Sequence, residues 1–256
     1  MTVRAEPTDR TLVVTIDRPE VRNAIDRPTA DALLAAFERF DADDGLDVAV
    51  LTGAAGQFCA GADLRAIGTG RGNRVSDNPA DAGPMGCTRM VLGKPVIAAI
   101  EGHAVAGGLE LALWCDLRVV AADATLGVYC RRWGVPLVDG GTVRLPRLIG
   151  HSRAMDMVLT GRAVGAAEAE AWGLANRVCD PGVALETALG LAAALSRFPQ
   201  GCLRSDRRSS MDQWGLDLHE ALMHETALGL ATIATGETQA GAERFVAGEG
   251  RHGIGV

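Results

Sequence analysis

The chain has 256 residues, of which 48% are hydrophobic and only 4% aromatic, and its formal net charge is −7. This size fits one large α/β domain or a core domain with a small appendage, and the apolar share is enough for a substantial core. The sequence has no basic patch of the kind that nucleic-acid-binding proteins carry. It also has no apolar run approaching membrane-spanning length.

The cysteines and the N-terminal residues indicate a cytoplasmic protein. The six cysteines are scattered without a CxxC pair, which is typical of reduced thiols. The first ten residues lack the apolar segment of a secretory signal. The five histidines show no metal-ligand spacing, so we expect no metal site.

The first predicted elements alternate between strand and helix. Residues 12–17 predict a strand, and residues 26–40 predict a helix with apolar residues at i, i+3, i+4 and i+7. Asp26 is placed to cap this helix. Continuous apolar runs at 48–52 and 95–100 predict strands that are covered on both faces.

The next predicted elements lead into a helical C-terminal part. Residues 68–86 are rich in Gly, Pro, Asn and Asp and predict a mobile loop. A short helix opened by glycines is expected at 107–114, and a strand at 117–121. One short apolar piece is expected at 176–178, between helices. The predicted C-terminal helices are 152–159, 166–172, 183–196, 212–235 and 237–247.

This alternation predicts a parallel α/β core over residues 1–195. Residues 196–256 form a predicted helical region, which we expect to carry subunit contacts. Several familiar motifs are absent from the chain. The glycines at 68–72 lack dinucleotide-loop spacing, the sequence at 93–95 lacks the P-loop pattern, and no GxSxG elbow occurs.

Two glycine-containing segments, each directly after a predicted strand, carry the strongest chemical signal. Residues 57–64 are QFCAGADL, and residues 102–111 are GHAVAGGLEL. Small residues let backbone N–H groups approach a ligand, and free N–H groups at a helix start favour an oxyanion. One donor from each segment would make an oxyanion hole. Each segment alone is better explained as a tight turn, but the pair favours a catalytic site.

The sequences AGADL at 60–64 and AGGLEL at 106–111 resemble the two signature segments of the enoyl-CoA hydratase/isomerase, or crotonase, family. Other matching stretches follow in order across roughly residues 10–200. They lie at 18–24, 94–102, 122–124, 134–150 and 159–178. The resemblance implies a crotonase-like spiral of ββα units with a helical C-terminal region. It also implies a homotrimer or a dimer of trimers, and an acyl-CoA thioester whose coenzyme A belongs to the substrate, without any further cofactor.

The resemblance also assigns roles to individual residues. The N–H groups of Ala62 and Gly107 would be the oxyanion donors. Glu110, three residues after the donor glycine, would be one of the two catalytic glutamates of the hydratases. The remaining positions implied to contact coenzyme A are Arg22, Ala24, Ala60, Asp63, Leu64 and Arg65. Arg22 is also explained as a solvated turn residue, and Glu110 as a carboxylate that favours the helix dipole.

The second glutamate of the family pattern is absent, because Cys130 occupies its position. A thiol is a poor substitute for a carboxylic acid, since its reference pKa is about 8.5 against about 4.3. Asp139 is the nearest alternative, and some isomerases of the family carry an aspartate in this loop. The simpler explanation is that Asp139 caps the helix that follows. Arg131 is expected either to pair with Glu110 or a substrate carboxylate, or to be a surface residue.

The expected activity is hydration of the 2,3 double bond of an acyl-CoA thioester through an enolate. Two alternatives remain open: a double-bond isomerase that uses a single glutamate, and a catalytically silent CoA-ester-binding scaffold. An RNA-binding relative is disfavoured by the acidic charge balance.

Overall fold

A computed structural model describes residues 2–249. Within that range the chain forms nine strands and nine α-helices. The strands are β1 Val3–Thr8, β2 Thr11–Ile16, β3 Val48–Gly53, β4 Val96–Ile100, β5 His103–Val105, β6 Leu117–Ala121, β7 Thr125–Gly127, β8 Ala163–Gly165 and β9 Arg177–Cys179. The helices are α1 Arg27–Ala42, α2 Gly107–Trp114, α3 Gly141–Ile149, α4 His151–Thr160, α5 Ala166–Ala171, α6 Ala184–Ser196, α7 Gln200–Asp212, α8 Leu218–Ala234 and α9 Glu237–Ala247.

The strands form two sheets. The larger has the order β1-β2-β3-β4-β6-β9, in which β1 is antiparallel to β2 and all other neighbours are parallel. The smaller has the order β5-β7-β8. The chain passes from β4 to β5 and from β6 to β7, so successive turns add one strand to each sheet. This confirms the predicted spiral of α/β units.

The central strands β3 and β4 are almost fully buried, as their continuous apolar sequences predict. On one face of the large sheet, small residues of α6 pack against Val48, Val50, Ile97 and Val119. The opposite face packs into the main core, which includes apolar residues of α1 and α2. Both faces of the central strands are therefore covered, as predicted.

Several predicted elements are confirmed, and others are corrected. The helix at 107–114 and the strand at 117–121 have the predicted bounds. The single helix predicted at 212–235 is wrong: Asp212 ends α7, and α8 begins at Leu218 behind a capping box formed by Asp217 and Glu220. β1 and most of α7 were not predicted, because their sequences are rich in polar residues.

Residues 68–86 contain no helix or strand, in agreement with the predicted loop, whose mobility stays a prediction. The helical C-terminal region is present through α9, while its last residues, 250–256, lie outside the described part. No helix within residues 2–249 is long and apolar enough to cross a membrane.

Candidate active site

The two glycine-containing segments lie side by side. Cys59 N–H donates to the His103 carbonyl (2.8 Å), and Val105 N–H donates to the Cys59 carbonyl (3.1 Å), so the first segment runs parallel to β5. Gly61 has a φ of +96°, and a Cβ there would lie 2.9 Å from the Gly107 nitrogen. Only glycine therefore permits this approach, which brings the backbone of Ala62 next to the start of α2.

The predicted oxyanion donors are both free. Within residues 2–249, neither the Ala62 nor the Gly107 N–H has a hydrogen-bond acceptor, and both residues line one cavity. Gly107 is the first residue of α2, where the helix dipole favours negative charge. The preceding Ala106 has φ +53° and ψ −125°, a conformation that costs energy for a residue with a Cβ. Backbone strain is thus stored at the point that aims a donor into the cavity.

Two adjoining cavities contain the predicted site residues. The larger, about 770 Å³, is lined by both donors and by Glu110, Cys130 and Asp139. The smaller, about 430 Å³, is lined by the residues predicted to contact coenzyme A, namely Arg22, Ala24, Ala60, Asp63, Leu64 and Arg65. Since Arg22, Ala60, Ala62 and Leu64 border both, the two form one continuous groove.

Asp63 and Arg22 both line the smaller cavity, but they differ in their availability to a ligand. Asp63 is buried, and its carboxylate accepts from Arg18 (3.0 Å) and from the Arg65 N–H (3.1 Å). It therefore holds the loop in shape. Arg22 is exposed, at the end of a short 3₁₀ helix, and makes no ion pair with any residue from 2 to 249. Its guanidinium is available to an anionic ligand.

Glu110 is only 3% exposed and lies in the first turn of α2. Its Oε1 accepts from the Asp139 N–H (2.9 Å) and the Gly141 N–H (2.8 Å), while Oε2 has no partner within the described residues. Burial raises its pKa to about 7, a shift that the Gly141 N–H opposes and the nearby Asp139 charge reinforces. A carboxyl group in this condition can both take and return a proton near neutral pH.

Asp139 does not cap the following helix, so that explanation is wrong. The N-cap of α3 is Gly140, with φ +95° and no side-chain capping bond. The Asp139 Oδ1 instead accepts from the Met85 N–H (2.9 Å) and from the hydroxyl of Thr88. Burial raises the pKa of Asp139, although both of these bonds oppose the shift. Its carboxyl borders the same cavity as Glu110.

Cys130 and Arg131 lie in a 3₁₀ helix, Tyr129–Trp133. Cys130 is buried at the cavity wall; burial raises the pKa of its thiol, and the charge of Glu110 adds to that rise. The thiol is therefore neutral near pH 7. Arg131 is exposed and donates to the Val158 carbonyl (3.1 Å). Of the alternatives expected for it, the pairing with Glu110 is not formed and the surface position is confirmed.

Three residues that surround the two carboxyl groups were not predicted from the sequence: Met85, Thr88 and Arg144. Arg144 Nη1 donates to the Asp139 carbonyl (2.9 Å), and its Nη2 donates to the Thr88 carbonyl (2.7 Å). No spacing pattern links residue 88 with residue 139, because only the tertiary fold brings the loop before β4 against the start of α3. Gly141 is equally constrained, since a Cβ there would lie 2.9 Å from Glu110 Oε1.

Known proteins share this architecture. The profile of the enoyl-CoA hydratase/isomerase family matches residues 8–251. The chain is 35% identical to enoyl-CoA hydratase EchA19 of Mycobacterium tuberculosis, over 92% of this chain and 90% of that protein. It is 41% identical to carnitinyl-CoA dehydratase of Salmonella arizonae, over 72% and 70% of the two chains.

Solved structures agree with the sequence comparisons. The crystal structure of enoyl-CoA hydratase EchA1 from Mycobacterium marinum superposes with a TM-score of 0.90, at 36% identity and with 96% of each chain covered. Similarity along nearly the whole chain includes the segments that form the groove described above. The chain therefore belongs to the enoyl-CoA hydratase/isomerase family.

Proposed function

We propose that this protein is an enoyl-CoA hydratase that adds water across the 2,3 double bond of an acyl-CoA thioester. The observation that carries the proposal is Glu110, a buried carboxyl with a pKa of about 7, in the same cavity as two free N–H donors. The names of the relatives, which include several hydratases and a dehydratase, support it.

In the proposed reaction the thioester oxygen accepts hydrogen bonds from the Ala62 and Gly107 N–H groups. Glu110 Oε2 takes a proton from a water molecule as that water attacks C3, and the C2=C3 electrons move towards the thioester oxygen. The enolate charge is stabilised by the two donors, which cost no reorganisation because they are already in place. Glu110 then returns the proton to C2, so that one group serves as base and acid.

Asp139 is the second proposed participant. Its carboxyl borders the same cavity, and Cys130 leaves no carboxyl group at the position of the second glutamate. We assign it to orienting the attacking water. The coenzyme A part of the substrate is proposed to lie along the smaller cavity, with its phosphates near the free guanidinium of Arg22.

The test is the loss of ultraviolet absorbance when purified protein meets crotonyl-CoA, measured for the wild type, Glu110→Gln and Asp139→Asn. Glu110→Gln keeps an acceptor for the two N–H groups but cannot take a proton, so kcat should fall roughly 10²- to 10⁴-fold. Glu38→Gln, an exposed change on α1, is the matched control and should leave kcat unchanged.

An Asp139→Asn enzyme with wild-type turnover would remove Asp139 from the mechanism. A wild-type protein that leaves crotonyl-CoA intact would contradict the hydratase proposal as a whole. If such a protein still binds CoA esters without turning over any of them, the scaffold interpretation is supported instead.

A second candidate function, double-bond isomerisation, is favoured by one observation. Cys130 is buried and neutral where a hydratase of the family carries a second carboxyl group. Glu110 alone could carry a proton between C2 and C4 of a 3-enoyl-CoA through the same enolate. A gain of conjugated-thioester absorbance from 3-hexenoyl-CoA, with crotonyl-CoA untouched, would establish the isomerase in place of the hydratase.

We also propose that the region after residue 195 mediates assembly into a trimer or a dimer of trimers. Its helices expose large apolar side chains that a monomer would leave in water. These side chains are Leu218, Leu222, Met223, Leu230, Ile233 and Phe245.

A further inference from the structure

Arg144 is half-buried on α3, and its guanidinium binds backbone carbonyls instead of a carboxylate. Its two terminal nitrogens donate to backbone carbonyls, those of Asp139 (2.9 Å) and Thr88 (2.7 Å), and it forms no ion pair within residues 2–249. A guanidinium that is partly removed from water and faces neutral acceptors carries a desolvation cost. Burial accordingly lowers the pKa of Arg144, although it stays charged.

The two carbonyls that Arg144 binds belong to residues that hold the catalytic carboxyl groups. The Asp139 N–H donates to Glu110 Oε1, and the Thr88 hydroxyl donates to Asp139 Oδ1. One guanidinium fork therefore fastens the loop before β4 and the start of α3 to each other, directly behind Glu110 and Asp139.

The backbone around the fork is shaped to admit it. A Cβ on Gly140 would lie 2.3 Å from Arg144 Nη1, and Gly140 also has φ +95°. A side chain at this position would both strain the turn and displace the guanidinium. The glycine between Asp139 and Gly141 is thus required for Arg144 to reach the carbonyl of Asp139.

We propose that Arg144 is a positioning residue of the active site. It fixes the Asp139 and Gly141 N–H groups on one oxygen of Glu110, which leaves the other oxygen free for the substrate water. This inference rests on the proposed role of Glu110 as the base.

The titratable groups that act most strongly on this cluster come from several segments of the described chain. Glu110 faces Asp139, Arg144 and the thiol of Cys130, and Asp139 also faces Arg89. Arg144 further faces two buried thiols, Cys87 and Cys115, whose pKa values burial raises. Since the thiols stay neutral near pH 7, Arg144 and Arg89 are the cations that offset the two carboxylates.

The first experiment needs no substrate. The side-chain carboxyl of Glu110 is followed by carbon-13 NMR from pH 4 to 9 in protein with labelled glutamate, and its signal is assigned by its loss in Glu110→Gln. In Arg144→Met the midpoint should move to higher pH, because a neighbouring cation that favours the charged carboxylate is gone. Arg147→Met, an exposed change one turn further along α3, is the control and should leave the midpoint in place.

The second experiment separates position from charge. Lysine keeps the positive charge but cannot bind two carbonyls with a planar fork. Arg144→Lys should therefore keep the wild-type titration of Glu110 and lower kcat by up to about 10²-fold, with little change in KM, because the carboxyl is no longer held in place.

Wild-type kcat in Arg144→Lys, or an unmoved Glu110 midpoint in Arg144→Met, would overturn the inference. If Arg144→Met does not fold, the kcat and KM of Arg144→Lys decide it. A shifted midpoint together with a wild-type protein that is inert towards both enoyl-CoA isomers would instead contradict the proposed function, while the effect of the Arg144 charge on Glu110 would stand.

Discussion

Glu110 differs from a glutamate in water in the pH range over which its carboxyl group titrates. A glutamate in water has lost its proton at pH 7, whereas here burial against the α2 and α3 backbone raises its pKa to about 7. The two N–H bonds to Oε1 limit the rise and orient the group. Cys130 adds no charge near pH 7, because burial keeps its thiol protonated.

A pH dependence follows at this scale. The base form of Glu110 is the ionised one, and it becomes populated as the pH rises through about 7. The kcat/KM for crotonyl-CoA should therefore rise with pH and reach half of its plateau near pH 7, instead of near 4.5. Steady-state kinetics between pH 5 and 9 at constant ionic strength measure this. A plateau already reached at pH 5.5 would show that another group, or an unperturbed one, is the base.

At the scale of elements, local signals and structure agree best where a helix start is chemically marked. The Asp26 carboxylate accepts from the Thr29 N–H (3.2 Å) and hydroxyl (2.6 Å), and caps α1 as predicted. Arg71, from the polar segment at 68–86, donates to its other oxygen (2.5 Å). The cap thus also anchors the loop that borders the large cavity.

Removing the Asp26 carboxylate should destabilise the fold, because both the cap of α1 and the contact with Arg71 are lost. Asp26→Ala should lower the free energy of unfolding by about 1–2 kcal/mol, because the Thr29 N–H and hydroxyl lose their acceptor. Urea unfolding followed by circular dichroism measures the change. Asp31→Ala, at an exposed position on the same helix, is the control and should stay within about 0.5 kcal/mol of the wild type. Equal losses in the two variants would show that the cap contributes nothing specific.

On the scale of the whole molecule, the core is densely packed, whereas the C-terminal helices expose large apolar side chains. Helices α7, α8 and α9 contain no buried residue, although their sequences include many large apolar side chains. The sequence pattern predicted helices over α8 and α9, but not over most of α7, and it could not say which face would meet a partner. Burial in another subunit is the proposed reason for these side chains.

This proposal predicts that charge on α8 disrupts assembly. The double variant Leu230→Glu, Ile233→Glu would place two carboxylates in an apolar contact, so its mass by multi-angle light scattering should fall from a multiple of 26.7 kDa to that of the monomer. Leu159→Glu, an equally exposed apolar position on α4, is the control. A wild-type protein that is itself monomeric would contradict the assembly proposal.

The sequence by itself predicted most of the core elements and the two glycine-containing segments. Alternating apolar runs and glycine-opened turns encode strands and helix starts locally, so β3, β4, α2 and the segment containing Ala62 were predictable. The resemblance to the family then assigned roles to Ala62, Gly107, Glu110 and the coenzyme A residues. The strands, the helix starts and the glycine-containing turns depend on neighbours within a few positions of the sequence, where backbone sterics and periodicity act.

The tertiary structure alone decided how the carboxyl groups are held. Asp139 binds Met85 and Thr88 instead of capping α3, and Arg144 joins residues more than fifty positions apart in the chain. Such contacts leave no periodic trace, because they depend on which strand ends the sheet places side by side. The pKa of Glu110 belongs to the same category, since it is set by the depth of burial and by charges from distant segments.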